Sequence, residues 1–188
     1  MLPLKDFYFV RHAQTIWSDE EIQAENTNKS ITDLGKKQAA AIRSVIATLP
    51  IATVCHSPLL RALQTTDLIT EGLKTNRVLV DNLKECTFRV WMHMVDQVIH
   101  DEENVKAFFQ QTLEGMHQSL SHPGPVLVVA HAGVYWSLCH QLQVDTPRII
   151  DHCRPVHFQN IQGKWTVKFL PLTEEREQIG ITAEETIK

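Results

Sequence analysis

Four side chains of this 188-residue chain combine charge and nucleophilicity in a way that suggests chemistry: Arg11, His12, Arg61 and His131. Two guanidiniums carry permanent positive charge on planar donor forks. Two imidazoles offer a lone pair or a proton near neutral pH. Together they describe a pocket for a dianion, and a phosphoryl group is the obvious candidate. A neutral ring nitrogen of His12 could attack phosphorus and carry it as a phosphohistidine. Arg11, Arg61 and His131 could hold the charge spread over three equatorial oxygens, so the scheme requires neither metal nor cofactor. The leaving alkoxide needs a proton, which a carboxylic acid near the crevice, such as Glu85, could supply.

Those residues can act together only if the fold delivers them to one place. His12 follows the aromatic and β-branched run Phe7-Tyr8-Phe9-Val10, and His131 follows Val126-Leu127-Val128-Val129-Ala130. Short continuous apolar runs read as buried strands of a parallel sheet. Ligands bind at the carboxyl ends of such strands, so two strands that each end in a histidine predict a shared crevice. Arg61 falls in the first turn of a helix predicted over 59–69, with Ser57 as cap and Pro58 following it. A cation there opposes the macrodipole unless it shares an anion with the backbone amides; the plainer alternative is an arginine folded back to solvent.

The remaining chain alternates strands and helices. Thr32 reads as an N-cap for a helix ending near Pro50. Residues 51–55 and 78–80 read as further strands, 102–120 and 134–142 as helices. Residues 155–160 and 164–169 read as a hairpin about Gln162-Gly163, an antiparallel edge on a mostly parallel sheet. The expected class is therefore α/β. Residues 16–31 read as a long polar loop bordering the site. The 86–101 stretch has no clear assignment, its Trp91-Met92-His93-Met94 run suiting either a cover over the pocket or core. We expect one domain over 1–171 and a polar acidic tail over 172–188.

Composition narrows the partners. The formal net charge is −4, and the tail from residue 171, with five glutamates against Arg176 and Lys188, carries −3 of it. A nearly neutral body argues against nucleic acid or a polybasic membrane surface. No run is long enough to span a bilayer, and Pro3, Lys5 and Asp6 interrupt any apolar leader. Cys55, Cys86, Cys139 and Cys153 form no CxxC pair and suit reduced thiols in the cytoplasm. The histidines at 93, 100, 117, 122, 140, 152 and 157 show no ligand spacing, and a zinc site at Cys139-His140 and His152-Cys153 is the weaker reading. Oligomeric state is not legible.

Four segments, taken in order, carry a family resemblance. Arg11-His12-Ala13-Gln14-Thr15 resembles the Arg-His-Gly-x-Thr motif of the histidine phosphatase superfamily, in the branch that includes cofactor-dependent phosphoglycerate mutase. Thr32 to Ala39 resembles that family's Thr-x-x-Gly-x-x-Gln-Ala segment, and Ser57 to Thr65 its Ser-x-x-x-Arg-Ala-x-Gln-Thr helix start. Val129 to Gly133 resembles the second-histidine motif. The resemblance implies a three-layer α/β/α sandwich in which His12 is the phosphorylated nucleophile. Arg11, Arg61 and His131 would form the phosphate pocket, with help from Thr15 and the backbone at Ala132, and Glu85 would be the proton donor. Alanine replaces the usual glycine at positions 13 and 132, and Arg89 stands where the family has glycine, as either an anion anchor or a surface salt bridge.

Three functions fit these expectations. The first is hydrolysis of a phosphomonoester, on a small molecule or a phosphoprotein. The second is a phosphoglycerate-type mutase, whose family members are generally longer around the acid segment. The third is a catalytically weak phosphate-binding or interaction protein. The compact chain favours hydrolysis.

Overall fold

The structure, a computed structural model, describes residues 2–16, 28–96, 101–147 and 149–179. Strand β1 (Phe7–Arg11) leads through α1 (Asp33–Ala47) to β2 (Thr53–His56), then through α2 (Leu60–Ile69) to β3 (Asn76–Leu79). Helices α3 (Phe88–Asp96) and α4 (Glu102–Ser121) precede β4 (Val126–Ala130), which α5 (Ala132–Gln141) follows. The hairpin β5 (Pro155–Ile161) and β6 (Lys164–Phe169) and the short α6 (Glu174–Gln178) complete the described chain.

Alternation along β1 shows why the fold has three layers. Phe7 and Phe9 enter one apolar cluster with Val90, Met94, Phe108, Met116 and Tyr135 of α3, α4 and α5. Tyr8 and Val10 enter a second with Ala39, Ile42, Ile46 and Ile69 of α1 and α2. β4 divides in the same way, Val126, Val128 and Ala130 against Leu127 and Val129. A strand covered on both faces must be apolar throughout, which is why these runs show no polar alternation. The six strands lie in the order β3-β2-β4-β1-β5-β6, parallel from β3 to β1 and antiparallel at β5 and β6. The expected α/β/α sandwich with an antiparallel edge is therefore present.

β1 and β4 are neighbours, and the helices that follow them pack on opposite faces of the sheet. Such a divergence leaves a crevice at the strand ends. Register sets Arg11 beside Ala130, and His12 N–H extends the ladder to the Ala130 carbonyl at 2.9 Å. His12 and His131 thus leave adjacent strands at the same level.

Several boundaries differ from expectation. β3 begins at Asn76 and ends at Leu79; Val80 continues the hydrogen bonding by donating to the His56 carbonyl, and is buried beyond the strand. α2 begins one residue later than the sequence suggests. Its first amide, Leu60 N–H, donates to Asn28 Oδ1 at 2.8 Å, while Ser57 Oγ accepts the preceding Leu59 N–H at 3.3 Å, so a distant loop adds to the expected serine cap. The unassigned stretch after residue 86 forms α3, whose Met94 is core. Residues 17–27 and 97–100, parts of the expected site-bordering loop and of the 86–101 region, lie outside the described residues. Residues 172–179, read from the sequence as the start of a polar tail, include α6 and bury Arg176. The hairpin turn is as expected, Gln162 and Gly163 both having positive φ.

Candidate active site

His12 is buried, and its protonation state is fixed from both ends. Nδ1 lies 2.7 Å from the Ala13 carbonyl oxygen, which can only accept, so Nδ1 carries the proton. Nε2 lies 3.1 Å from Nε of Arg61, a group that can only donate, so Nε2 presents its lone pair. Burial first, then the charge of Arg61 and the nearby His131, His152 and Arg11, push the His12 pKa well below the ordinary imidazole value. The ring is therefore neutral at neutral pH, with Nε2 as its basic nitrogen.

The second imidazole is adjacent. His131 stands at the N-cap of α5 with its ring centroid 5.1 Å from that of His12, and its Nε2 is 2.7 Å from Ser57 Oγ. Burial and the charges of Arg61 and Arg11 lower its pKa as well. Both guanidiniums are also buried enough to fall to about 10, which leaves them charged at neutral pH. Arg11 uses Nη1 to bond the Ile150 carbonyl at 2.8 Å.

Glu85 joins this group from the segment after β3. Gly133 N–H, in the first turn of α5, donates to Oε1 at 3.1 Å and lies 3.2 Å from Oε2, while Cys86 N–H donates to Oε1 at 3.1 Å. Burial raises the Glu85 pKa, against the opposing pull of Arg61, the two amides and Arg11. A Cβ on Gly133 would collide with Glu85 Oε1 and come within 2.8 Å of Cys86 Sγ. A side chain at the third residue of the His131-Ala132-Gly133 sequence would therefore displace the Glu85 carboxyl. Ala132 has room and is buried in the first turn, and Ala13 has an ordinary backbone, being absent from the positive-φ positions.

The motif residues that do no chemistry hold the loop that carries His12. Ala13 N–H donates to Thr65 Oγ1 at 2.9 Å and Gln14 N–H to Gln38 Oε1 at 3.0 Å. Thr32 caps α1 through Gly35 N–H and donates its hydroxyl to Gln14 Oε1, while Gln64 Oε1 accepts Ile31 N–H. A Cβ on Gly35 would sit 2.6 Å from the Gln14 carbonyl oxygen. Thr15 is buried on the same loop.

The structure adds to three sequence readings here. The Arg89 side chain is 61% exposed and pairs with Asp101 at 3.0 Å, the salt bridge among the two alternatives. His152, set aside in the sequence among histidines without ligand spacing, is buried with its ring 5.4 Å from His12. Ser57, read as a helix cap, accepts Leu59 N–H at 3.3 Å and also contacts His131. Among the described residues no group of three or more His, Cys, Asp or Glu side chains is placed to hold a metal ion. No helix among them is long and apolar enough to cross a membrane.

The family model of the histidine phosphatase superfamily, branch 1, matches residues 7–169. This chain belongs to that superfamily. Among solved structures, YhfR of Bacillus stearothermophilus aligns with a TM-score of 0.68 at 16% identity, covering 91% of this chain and 98% of that one. The phosphoserine phosphatase of Entamoeba histolytica aligns with a TM-score of 0.67 at 15% identity, with the same coverages of 91% and 98%. These structures share the histidine phosphatase fold. A curated relative, the agropine synthesis reductase of Rhizobium rhizogenes, is 30% identical over 180 residues, which is 87% of this chain and 41% of the relative. The chain thus spans about two fifths of the length of the curated relatives it matches.

Proposed function

We propose that this histidine phosphatase superfamily member is a metal-independent phosphatase that hydrolyses a phosphomonoester through a phosphohistidine on His12. One observation carries the reading: the Nε2 lone pair of His12 is fixed by the Nδ1–H bond to Ala13 and faces a buried guanidinium. In the first step Arg61 turns from Nε2 to the incoming dianion, and Nε2 attacks phosphorus. The bond from phosphorus to the ester oxygen breaks, and that oxygen takes the proton of the Glu85 carboxyl. Arg11, Arg61 and His131 hold the equatorial oxygens, the charges doing what a metal ion does elsewhere. In the second step Glu85, now a carboxylate, takes a proton from water as the water oxygen attacks phosphorus and the P–N bond breaks. Phosphate leaves and Glu85 is protonated again.

The substrate is a phosphorylated small molecule or a phosphoprotein. Four buried free thiols suit a reducing compartment, so we place the activity in the cytoplasm. Turnover of an aryl phosphate in excess chelator tests the reading. Sustained hydrolysis supports it; tight phosphate binding without turnover would indicate a binding protein instead. Phosphoryl return to phoshoglycerate in a bisphosphate-primed assay would indicate a mutase.

A further inference from the structure

The geometry points to His152 as a third imidazole of the phosphoryl pocket, one that donates an N–H to an oxygen of the group bound at His12. This rests on the phosphatase reading above. His152 is 1% exposed, and among the described residues neither of its ring nitrogens has a hydrogen-bond partner. A buried imidazole with an unused donor and an unused acceptor is costly, and its persistence calls for an explanation. The ring centroid lies 5.4 Å from that of His12, comparable with the 5.1 Å that separates His12 from His131, so both imidazoles are neighbours of the nucleophile.

The turn that carries His152 is held at three points. Arg11 Nη1 bonds the Ile150 carbonyl at 2.8 Å, Cys153 N–H donates to the Arg11 carbonyl at 3.0 Å, and Arg176 of α6 bonds the His152 carbonyl through Nη2. Cys153 is buried and adopts φ of 51°, the left-handed region that a non-glycine residue enters at a cost. The chain accepts that cost where it turns His152 inward. The guanidiniums of Arg11, Arg176 and Arg61 act on the ring. Their charge and burial keep it neutral, with one N–H to give, and an incoming dianion is the acceptor that their field would draw in.

Orthovanadate binding tests the assignment. It is measured by titration followed on the ring ¹⁵N signals, and separately as inhibition of aryl-phosphate turnover. In the wild-type protein vanadate should shift the His152 ring signals. His152→Phe, which fills the space without a donor, should weaken vanadate about 10- to 100-fold, as expected for loss of a hydrogen bond to a charged group. His152→Asn, which keeps an N–H donor, should lose less. If His152→Phe binds vanadate as the wild type does, or if vanadate leaves the His152 signals unmoved, the assignment is overturned while the phosphatase reading stands. If the wild type fails to bind vanadate, or binds it equally well after His12→Ala, the phosphatase reading itself falls and the assignment with it. Should His152→Phe not fold, the wild-type ring signals decide.

Discussion

At the scale of single residues, the proposed mechanism divides labour between a nucleophile whose tautomer is fixed and an acid whose pKa burial raises. Glu85 carries the second role, and its substitution has a specific signature. Glu85→Gln should slow hydrolysis of alkyl phosphates by about 10²- to 10⁴-fold, the range for general acid catalysis, and of nitrophenyl phosphate much less. A steady-state comparison of the two substrates checks this, and equal slowing would remove Glu85 as proton donor. Gly133→Ala should mimic the acid defect, because its Cβ occupies the space of Glu85 Oε1. The residues with chemistry at strand ends, Arg11, His12 and His131, were legible because an apolar run ending in a polar group is visible in one dimension. Ser57 and His152 were not. Ser57 before a proline reads as a cap, which conceals its contact with His131, and His152 depends on a left-handed turn at Cys153 for which the sequence offers no glycine.

At the scale of elements, the loop after β1 is supported by α1 and α2, whose polar side chains bond its backbone. Gly35 marks the closest approach, 2.6 Å from a hypothetical Cβ to the Gln14 carbonyl oxygen. Gly35→Ala should therefore destabilise the protein by about 1–3 kcal/mol, the usual cost of overpacking. It should also reduce turnover, since Gln14 lies two residues from the nucleophile. Thermal unfolding and a rate assay on the same sample check both; unchanged rate with lowered stability would show that the loop position is not set by α1. Element types were largely readable from periodicity. Their ends were less so. Part of the α2 cap comes from Asn28, thirty-two positions away, and β3 is an edge strand whose exposed residues weaken its pattern. α3 is a nine-residue helix in which Trp91 and Met94 pack on the core, and its mixed composition concealed it.

At the scale of the whole molecule, the buried imidazoles make stability depend on pH. Burial and neighbouring guanidiniums hold His12, His131 and His152 well below the ordinary value. Below about 6.5 the unfolded chain protonates these rings and the folded chain does not. The unfolded state then binds more protons, so stability rises with pH across that window and is lost as pH falls. Three such groups give a limiting slope of about 4 kcal/mol per pH unit. Glu85 acts in the opposite sense, its raised carboxyl retaining a proton in the fold, and offsets up to one proton where the windows overlap. Unfolding midpoints measured between neutral and acid pH should fall steeply, and His152→Asn should reduce the slope by about one proton. A flat profile would mean that these rings are not held neutral. The two-faced core follows from the continuous apolar runs of β1 and β4, so the sandwich was readable; the bond from Arg176 to the His152 turn was not, because Arg176 lies in an acidic segment that composition alone assigns to solvent.

The central claim is that the phosphoryl group passes through Nε2 of His12, and trapping that species tests it most directly. A rapid acid-free quench during turnover of a radiolabelled phosphomonoester, followed by peptide mapping, should place acid-labile, alkali-stable label on His12 and none on the His12→Ala protein. Label on another residue, or full turnover by His12→Ala, would contradict the account.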